Sequence, residues 1–275
     1  MTAATLIAML LQDPPSAGRP ATYSATSLAM RLGTDWRGQA PTGIELGTPT
    51  ESGTESFSSA GCDVLWTAID APVPDDMEQM ARHSRLWPTD APGPTNHARH
   101  TIVMVRSDDP DSTNLRGLAT LLTQVVTSLI ALDDSIVAVL WNPAEHLVLP
   151  AAFRELALAD LPAPVLHAWV AFNVAPDPGG NLTGHTRGLR SLGLMDIEVP
   201  STHDTPQALL DRLRGLTQYL FDNGMTIKDG DTVGASDRER IVARHLPSAL
   251  DPEVTVLTLI DDRAGAKKRG FLRRG

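Results

Sequence analysis

Residues 100–106 read HTIVMVR, residues 114–132 read NLRGLATLLTQVVTSLIAL, and residues 136–141 read IVAVLW. The two outer runs are apolar and rich in β-branched residues, which favours strands. Between them Leu115, Leu118, Leu122, Val125, Leu129 and Leu132 recur at three- and four-residue steps, so one face of a long helix over residues 113–132 is apolar, with Ser112 placed to cap it. Two folds accommodate this strand, helix, strand succession. The first is an α+β fold of two tandem ferredoxin-like (βαββαβ) halves packed together and joined by the long helix. The second is a single continuous mixed α/β sheet, in which strands 100–106 and 136–141 are parallel partners of one crossover.

Working outward, residues 4–11 form an apolar strand stopped by Asp13-Pro14-Pro15, and a helix follows over residues 24–32. Residues 43–48 and 62–70 read as strands separated by the Ser/Thr/Gly/Glu-rich stretch 49–59, a long hairpin connection. Asp75 and Asp76 favour the N-terminus of a helix running to residue 85. Pro150 opens a helix over residues 151–159, residues 165–174 and 192–199 read as strands, and residues 175–184 carry loop signals. Thr205-Pro206 starts a helix whose Leu209, Leu213, Leu216 and Leu220 face the core and which ends at Asn223-Gly224; residues 254–260 make the last strand. The expected organisation is an N-terminal half over residues 1–110, a C-terminal half over residues 111–262, and a basic, disordered tail over residues 263–275.

Composition bounds the function classes. With 42% hydrophobic and 20% charged residues the chain supports a packed core. No apolar stretch reaches the roughly 18 residues of a membrane span, and the start lacks a secretory pattern, so a cytoplasmic protein without membrane association is expected. The net charge of -10 disfavours general nucleic-acid binding. Arg263, Lys267, Lys268, Arg269, Arg273 and Arg274 make the tail the exception; removing these six cations from a net charge of -10 leaves -16 on the rest. Cys62, the only cysteine, excludes an intramolecular disulfide and any multi-cysteine metal site, and reads as a small core residue.

The candidate polar cluster is His185, Thr186 and Arg187 with Glu198 one strand later and Asp229 and Asp231 after the following helix. If these converge, the carboxylates offer oxygens to a hard cation, while His185 and Arg187 hold an anion. The plainer reading makes Asp229-Gly230-Asp231 a turn, Glu198 a solvated strand residue, and Thr186 and Gly188 the makers of a bend. His97 and His100 are three apart, but His100 begins a strand, where that step sends side chains to opposite faces. Glu145-His146 lacks the second histidine of a zincin motif. No phosphate loop, serine elbow or dinucleotide fingerprint is present, and no cofactor and no metal is expected.

From Trp87 onward, the segments HARHTIVMV (97–105), AVLW (138–141), WVAF (169–172), GHTRGL (184–189), LGLMDIEV (192–199) and KDGDTVG (228–234) occur in an order and spacing that resemble a bacterial family, domain of unknown function 4261 (DUF4261). The resemblance spans roughly residues 87–260 and implies a fold and a cytoplasmic setting, with no reaction or catalytic residues to transfer. Two classes follow: a non-enzymatic protein-interaction or binding module with another protein as partner, or a metal-assisted hydrolase or small-ligand enzyme built on His185, Arg187, Glu198, Asp229 and Asp231.

Overall fold

The computed structural model describes residues 4–14, 23–107, 112–234 and 241–261. The tail at 263–275 and the side chain of Ser112 lie outside them. The described residues form a mixed α+β fold with six α-helices and two sheets, of seven and six strands, divided between two compact units.

The first unit comprises Met1–Ala171 with Ser191–Gly193. Its strands are β1 (Ala4–Gln12), β2 (Glu45–Leu46), β3 (Glu55–Ser59), β4 (Cys62–Ile69), β5 (Arg99–Ser107), β6 (Ile136–Trp141) and β7 (His146–Val148). They lie in the order β2-β3-β4-β5-β1-β6-β7, and every neighbouring pair is antiparallel. Because β5 and β6 both run against β1, they run parallel to each other, and α3 (Ser112–Ile130) connects them across the intervening strand. The crossover expected between these two strands is therefore present, but split by β1.

A ferredoxin-like half places its first strand between its third and last strands. Here the last, β5, sits between β4 and β1, so the order differs from that expectation. The strand expected to follow the linking helix into a second half, β6, pairs with β1, and α3 packs on β1 and β5, so both belong to the first unit. The sheet is not continuous through the chain either, because the C-terminal strands form a sheet of their own.

Alternation places each helix. Leu6, Ala8 and Leu10 of β1 share a face with Trp66, Val103 and Trp141, and Trp141 packs against Phe153 of α4 (Pro150–Asp160) with ring centroids 5.7 Å apart. α1 (Ala25–Asp35), capped by Ser24, and α4 both pack on α3. On the opposite face α2 (Met77–His83), capped by Asp76, sets Met77 and Ala81 against Leu11, Ala138, Leu140 and Leu147. Residues 166–169, expected as strand, form a turn of helix, α5 (Leu166–Trp169). That turn buries Trp169, whose Nε1 donates to Thr123 Oγ1 at 2.7 Å.

The second unit comprises Phe172–Arg190 with Leu194–Gly275. β8 (Ala171–Pro176), β9 (Leu182–Arg187), β10 (Ile197–Thr202), β11 (Thr232–Val233), β12 (Ile241–Pro247) and β13 (Thr255–Asp261) lie in the order β11-β12-β13-β10-β9-β8. β10 and β13 are parallel neighbours joined through α6 (Pro206–Asn223), which Thr205 caps and Pro206 opens as the sequence indicates. α6 approaches β9 at Gly184, where a Cβ would lie 3.0 Å from Leu209 Cδ2 and 3.2 Å from Leu213 Cδ1. The small residue sets the helix-to-sheet distance.

His146 gives the first unit a measurable pH response. Its Nε2–H donates to the Ala168 carbonyl at 2.8 Å, and burial pushes its pKa down from 6.5 to about 4. The unfolded chain takes up this proton first as pH falls. The contribution is thus fully present above pH 6.5 and is lost between there and pH 4, amounting to about 3 kcal/mol at most. Denaturant melts between pH 7 and pH 4 should show this loss in the wild type and a flatter profile in His146→Gln, whose amide can still donate to Ala168. Equal slopes would remove His146 as the cause.

Candidate functional site

The second sheet brings part of the polar cluster together. Arg244 of β12 faces Thr258 of β13, Thr258 faces Glu198 of β10, and Glu198 faces His185 of β9, so four polar side chains form one row on one face. Glu198 is only 8% exposed, not the solvated strand residue of the plainer reading. It accepts a hydrogen bond from Ser248 Oγ on Oε1 and one from the Ala249 N–H on Oε2 at 3.1 Å. Ser248 Oγ in turn accepts from the N–H groups of Leu250 and Asp251 at 3.0 and 3.2 Å. Both carboxylate oxygens therefore fasten the β12–β13 connection. Burial pushes the pKa of His185 down, Arg187 adds to the shift, and Glu198 opposes it.

Thr186, on the opposite face, is a bend-former. Its Oγ1 donates to Asp196 Oδ1 at 3.0 Å and accepts from the Ile197 N–H at 2.8 Å. Asp196 was not singled out in the sequence, yet it organises this bend, taking the Leu189 N–H at 3.1 Å as well. Burial raises its pKa, and the donated hydrogen bonds from Leu189 and Thr186 offset part of the rise. An Asp beginning a strand just after a glycine-rich turn was the available signal.

Asp229 and Asp231 sit at the far edge of this sheet. Gly230 has φ +90°, a conformation that favours glycine, and its N–H donates to the Ala243 carbonyl at 2.8 Å. The Ala243 N–H donates to the Asp231 carbonyl at 2.8 Å, and the Asp231 side chain accepts from the Lys228 N–H at 2.8 Å. Asp229 Oδ1 accepts from the His245 N–H at 2.9 Å and Oδ2 from Arg244 at 3.2 Å. The His245 N–H, followed by Arg244, holds the Asp229 carboxyl below its ordinary pKa. Asp231 lies against β12, three strand positions from β10, or about 14 Å at the usual spacing. Carboxylates that far apart do not enter one coordination shell, whose bonds are about 2–2.6 Å. Among the described residues, no group of three or more His, Cys, Asp or Glu is arranged to hold a metal ion.

His97 and His100 both fasten the loop after β4. His97 Nε2 accepts from the Val73 N–H at 2.8 Å while its Nδ1–H donates to Pro94 O at 2.6 Å, and His100 Nδ1–H donates to Ala71 O at 2.8 Å. Cys62 is buried, and burial pushes its thiol pKa up, with the neighbouring Asp63 charge acting in the same direction.

A concavity of about 440 Å³ lies on the first unit's sheet, on the face that α2 shares. α2 covers the β1–β6–β7 end; the groove occupies the β2–β5 end. Leu65 and Met104, cross-strand partners, form its floor with Ser56 beside them. Glu45, Asp63 and Arg106 stand around it, with Asp63 and Arg106 paired at 3.8 Å. No sequence motif marks this site.

The fold is thus a two-unit α+β protein with a groove on one sheet and, on the other, a polar row whose Glu198 and Thr258 are buried. A family model described as Domain of unknown function (DUF4261) matches residues 185–260. This span holds the polar row, α6 and the Asp229–Asp231 turn, whereas the similar segments at 97–105, 138–141 and 169–172 lie outside it. Comparison with curated proteins and with solved structures found no match.

The anchoring role of Glu198 is testable. Glu198→Ala leaves the Ser248 hydroxyl and the Ala249 N–H without their acceptor and should cost about 1–3 kcal/mol. Hydrogen exchange should quicken first in residues 248–254, and Glu198→Gln should recover part of the loss. Unchanged exchange in that segment would contradict the assignment.

Proposed function

We propose that the chain is a non-enzymatic protein-interaction module whose first unit receives an extended peptide segment in the groove over β2–β5. The observation that carries this reading is the groove itself, with an apolar floor of Leu65 and Met104 and charges of both signs at its rim. A flexible methionine adapts its shape to the side chain it meets, and the thioether remains apolar throughout. Beside the groove, both residues of the edge strand β2 are exposed, so a segment lying along Glu45 and Leu46 can exchange main-chain hydrogen bonds while setting alternate side chains into the groove. In the second unit, by contrast, the carboxylates of Glu198, Asp229 and Asp231 are already engaged by the chain's own donors. A partner segment with a long apolar residue next to Lys or Arg matches this rim, since Glu45 lies beside the apolar floor.

A displayed library of linear peptides, panned against the full chain and followed by fluorescence anisotropy on the enriched sequences, tests the reading. Sequences pairing an aromatic or aliphatic residue with a basic one should be enriched. Met104→Glu, which charges the floor, and Ser58→Trp, which fills the groove from β3, should each weaken binding by about tenfold or more. Circular dichroism melts confirm that each variant folds. Enriched peptides that bind both folded variants as well as wild type would reject the groove as the site.

A further inference from the structure

We infer that Arg214 of α6, held over Phe172 of β8, receives a carboxylate on the second unit. The inference is independent of the groove. Leu209 and Leu213 of α6 meet β9 at Gly184, and Arg214 reaches one strand further out, where its guanidinium carbon lies 5.9 Å from the centre of the Phe172 ring. Among the described residues that ring is its only partner: Arg214 takes part in no hydrogen bond and no ion pair, and its Nε is buried without an acceptor. Arg31, Arg154 and Arg212, half-buried as Arg214 is, each hold a carboxylate, at 2.8, 2.8 and 2.6 Å. Arg214 is built into the same kind of place and lacks the anion.

A second donor stands beside it. Thr217, one turn on and 0% exposed, also has a hydroxyl without a partner. Helical side chains lean toward the N-terminus, so this hydroxyl lies toward the turn that carries Arg214. A buried donor without an acceptor is costly, and two side by side mark a place where an acceptor belongs. The ring attracts the guanidinium through its face and leaves the N–H groups for an oxyanion, and a carboxylate takes two of them at once. With no hydrogen bond to fix it, the guanidinium swings on its flexible stem to admit that anion. The net charge of -10, with Asp211 and Asp222 on the same helix, repels a phosphate dianion more strongly than a single carboxylate.

The test titrates the ¹⁵N-labelled full chain at constant ionic strength with sodium acetate, with the peptide acetyl-Gly-Asp-Gly-amide and with sodium phosphate, reading the arginine Nε–H and backbone amide shifts. A carboxylate should shift the Arg214 Nε–H saturably, and Arg214→Gln should weaken binding, read at the surrounding amides, by about tenfold or more. Thr217→Val keeps the shape and removes the unpartnered hydroxyl, so it should melt at or above the wild-type temperature while binding more weakly. A hydroxyl with a merely structural role would lower the melting temperature and leave binding unchanged. Equal affinity for acetate and peptide assigns the site to a free small acid, and tighter peptide binding assigns it to a partner's carboxylate. Shifts that persist in Arg214→Gln, a preference for phosphate, or no saturable shift with either carboxylate would overturn the inference.

Discussion

One strand width separates β5 from β6, and the arrangement of the first unit depends on β1 filling it. The helix α3 carries the chain from β5 to the parallel strand β6 without pairing them, which would leave two rows of backbone donors and acceptors open in the middle of a sheet. β1 satisfies both rows at once, and Leu10 and Leu11, pointing to opposite faces, are 1% and 0% exposed. Its buried end is polar. Gln12 Nε2 donates to Asp133 Oδ2 at 2.8 Å, Thr101 Oγ1 donates to Gln12 Oε1 at 2.8 Å, and Asp133 Oδ1 accepts from the N–H and hydroxyl of Ser135. The amide thereby links β5, β1 and the turn that opens β6, and each member would be costly to leave unpaired.

With the sheet closed, the helices on one face need a fixed spacing, and Asp35 provides it. At the end of α1 its carboxylate accepts from both terminal nitrogens of Arg154 on α4 at 2.8 and 3.0 Å, from Arg31 Nε at 3.0 Å and from Ser128 Oγ on α3 at 3.0 Å. Burial would raise its pKa, yet the Arg154 and Arg31 hydrogen bonds hold it at about 2. A two-pronged guanidinium fixes the mutual orientation of α1 and α4 as well as their distance. Acidic residues in the second unit serve the same end. Asp229 occupies the His245 N–H that a further strand would otherwise take, blunting the β12 edge beyond the two residues of β11.

Elements with one unambiguous period were legible in the sequence. The helices α3 and α6 and the strands β1, β5, β6 and β13 lie where apolar spacing and caps place them, within about two residues. The strands that were not legible share a physical cause. β9 carries Gly184 and four polar residues because α6 presses on it and Glu198 faces it, and β12 alternates around Arg244 and His245 for its own cross-strand partners. β3 hid among serines because one of its faces meets the groove rather than a core. The run at 165–174 carries continuous apolar character, which does not distinguish the buried turn of helix α5 from a strand.

The candidate site divides along the same line. His185 and Glu198 are joined because strand register places them opposite each other, whereas Asp231 is separated from them by a strand order that no local pattern encodes. The groove is less visible still. Ser56, Leu65 and Met104 meet only through two successive antiparallel registers, Ser56 with Leu65 and Leu65 with Met104, across residues nearly fifty positions apart in the chain. Each strand by itself shows the ordinary alternation of a sheet with one buried face. The surface owes its shape to the place where α2 stops: α2 covers Leu140 and Leu147 and leaves the β2–β5 end of that face without a helix of its own.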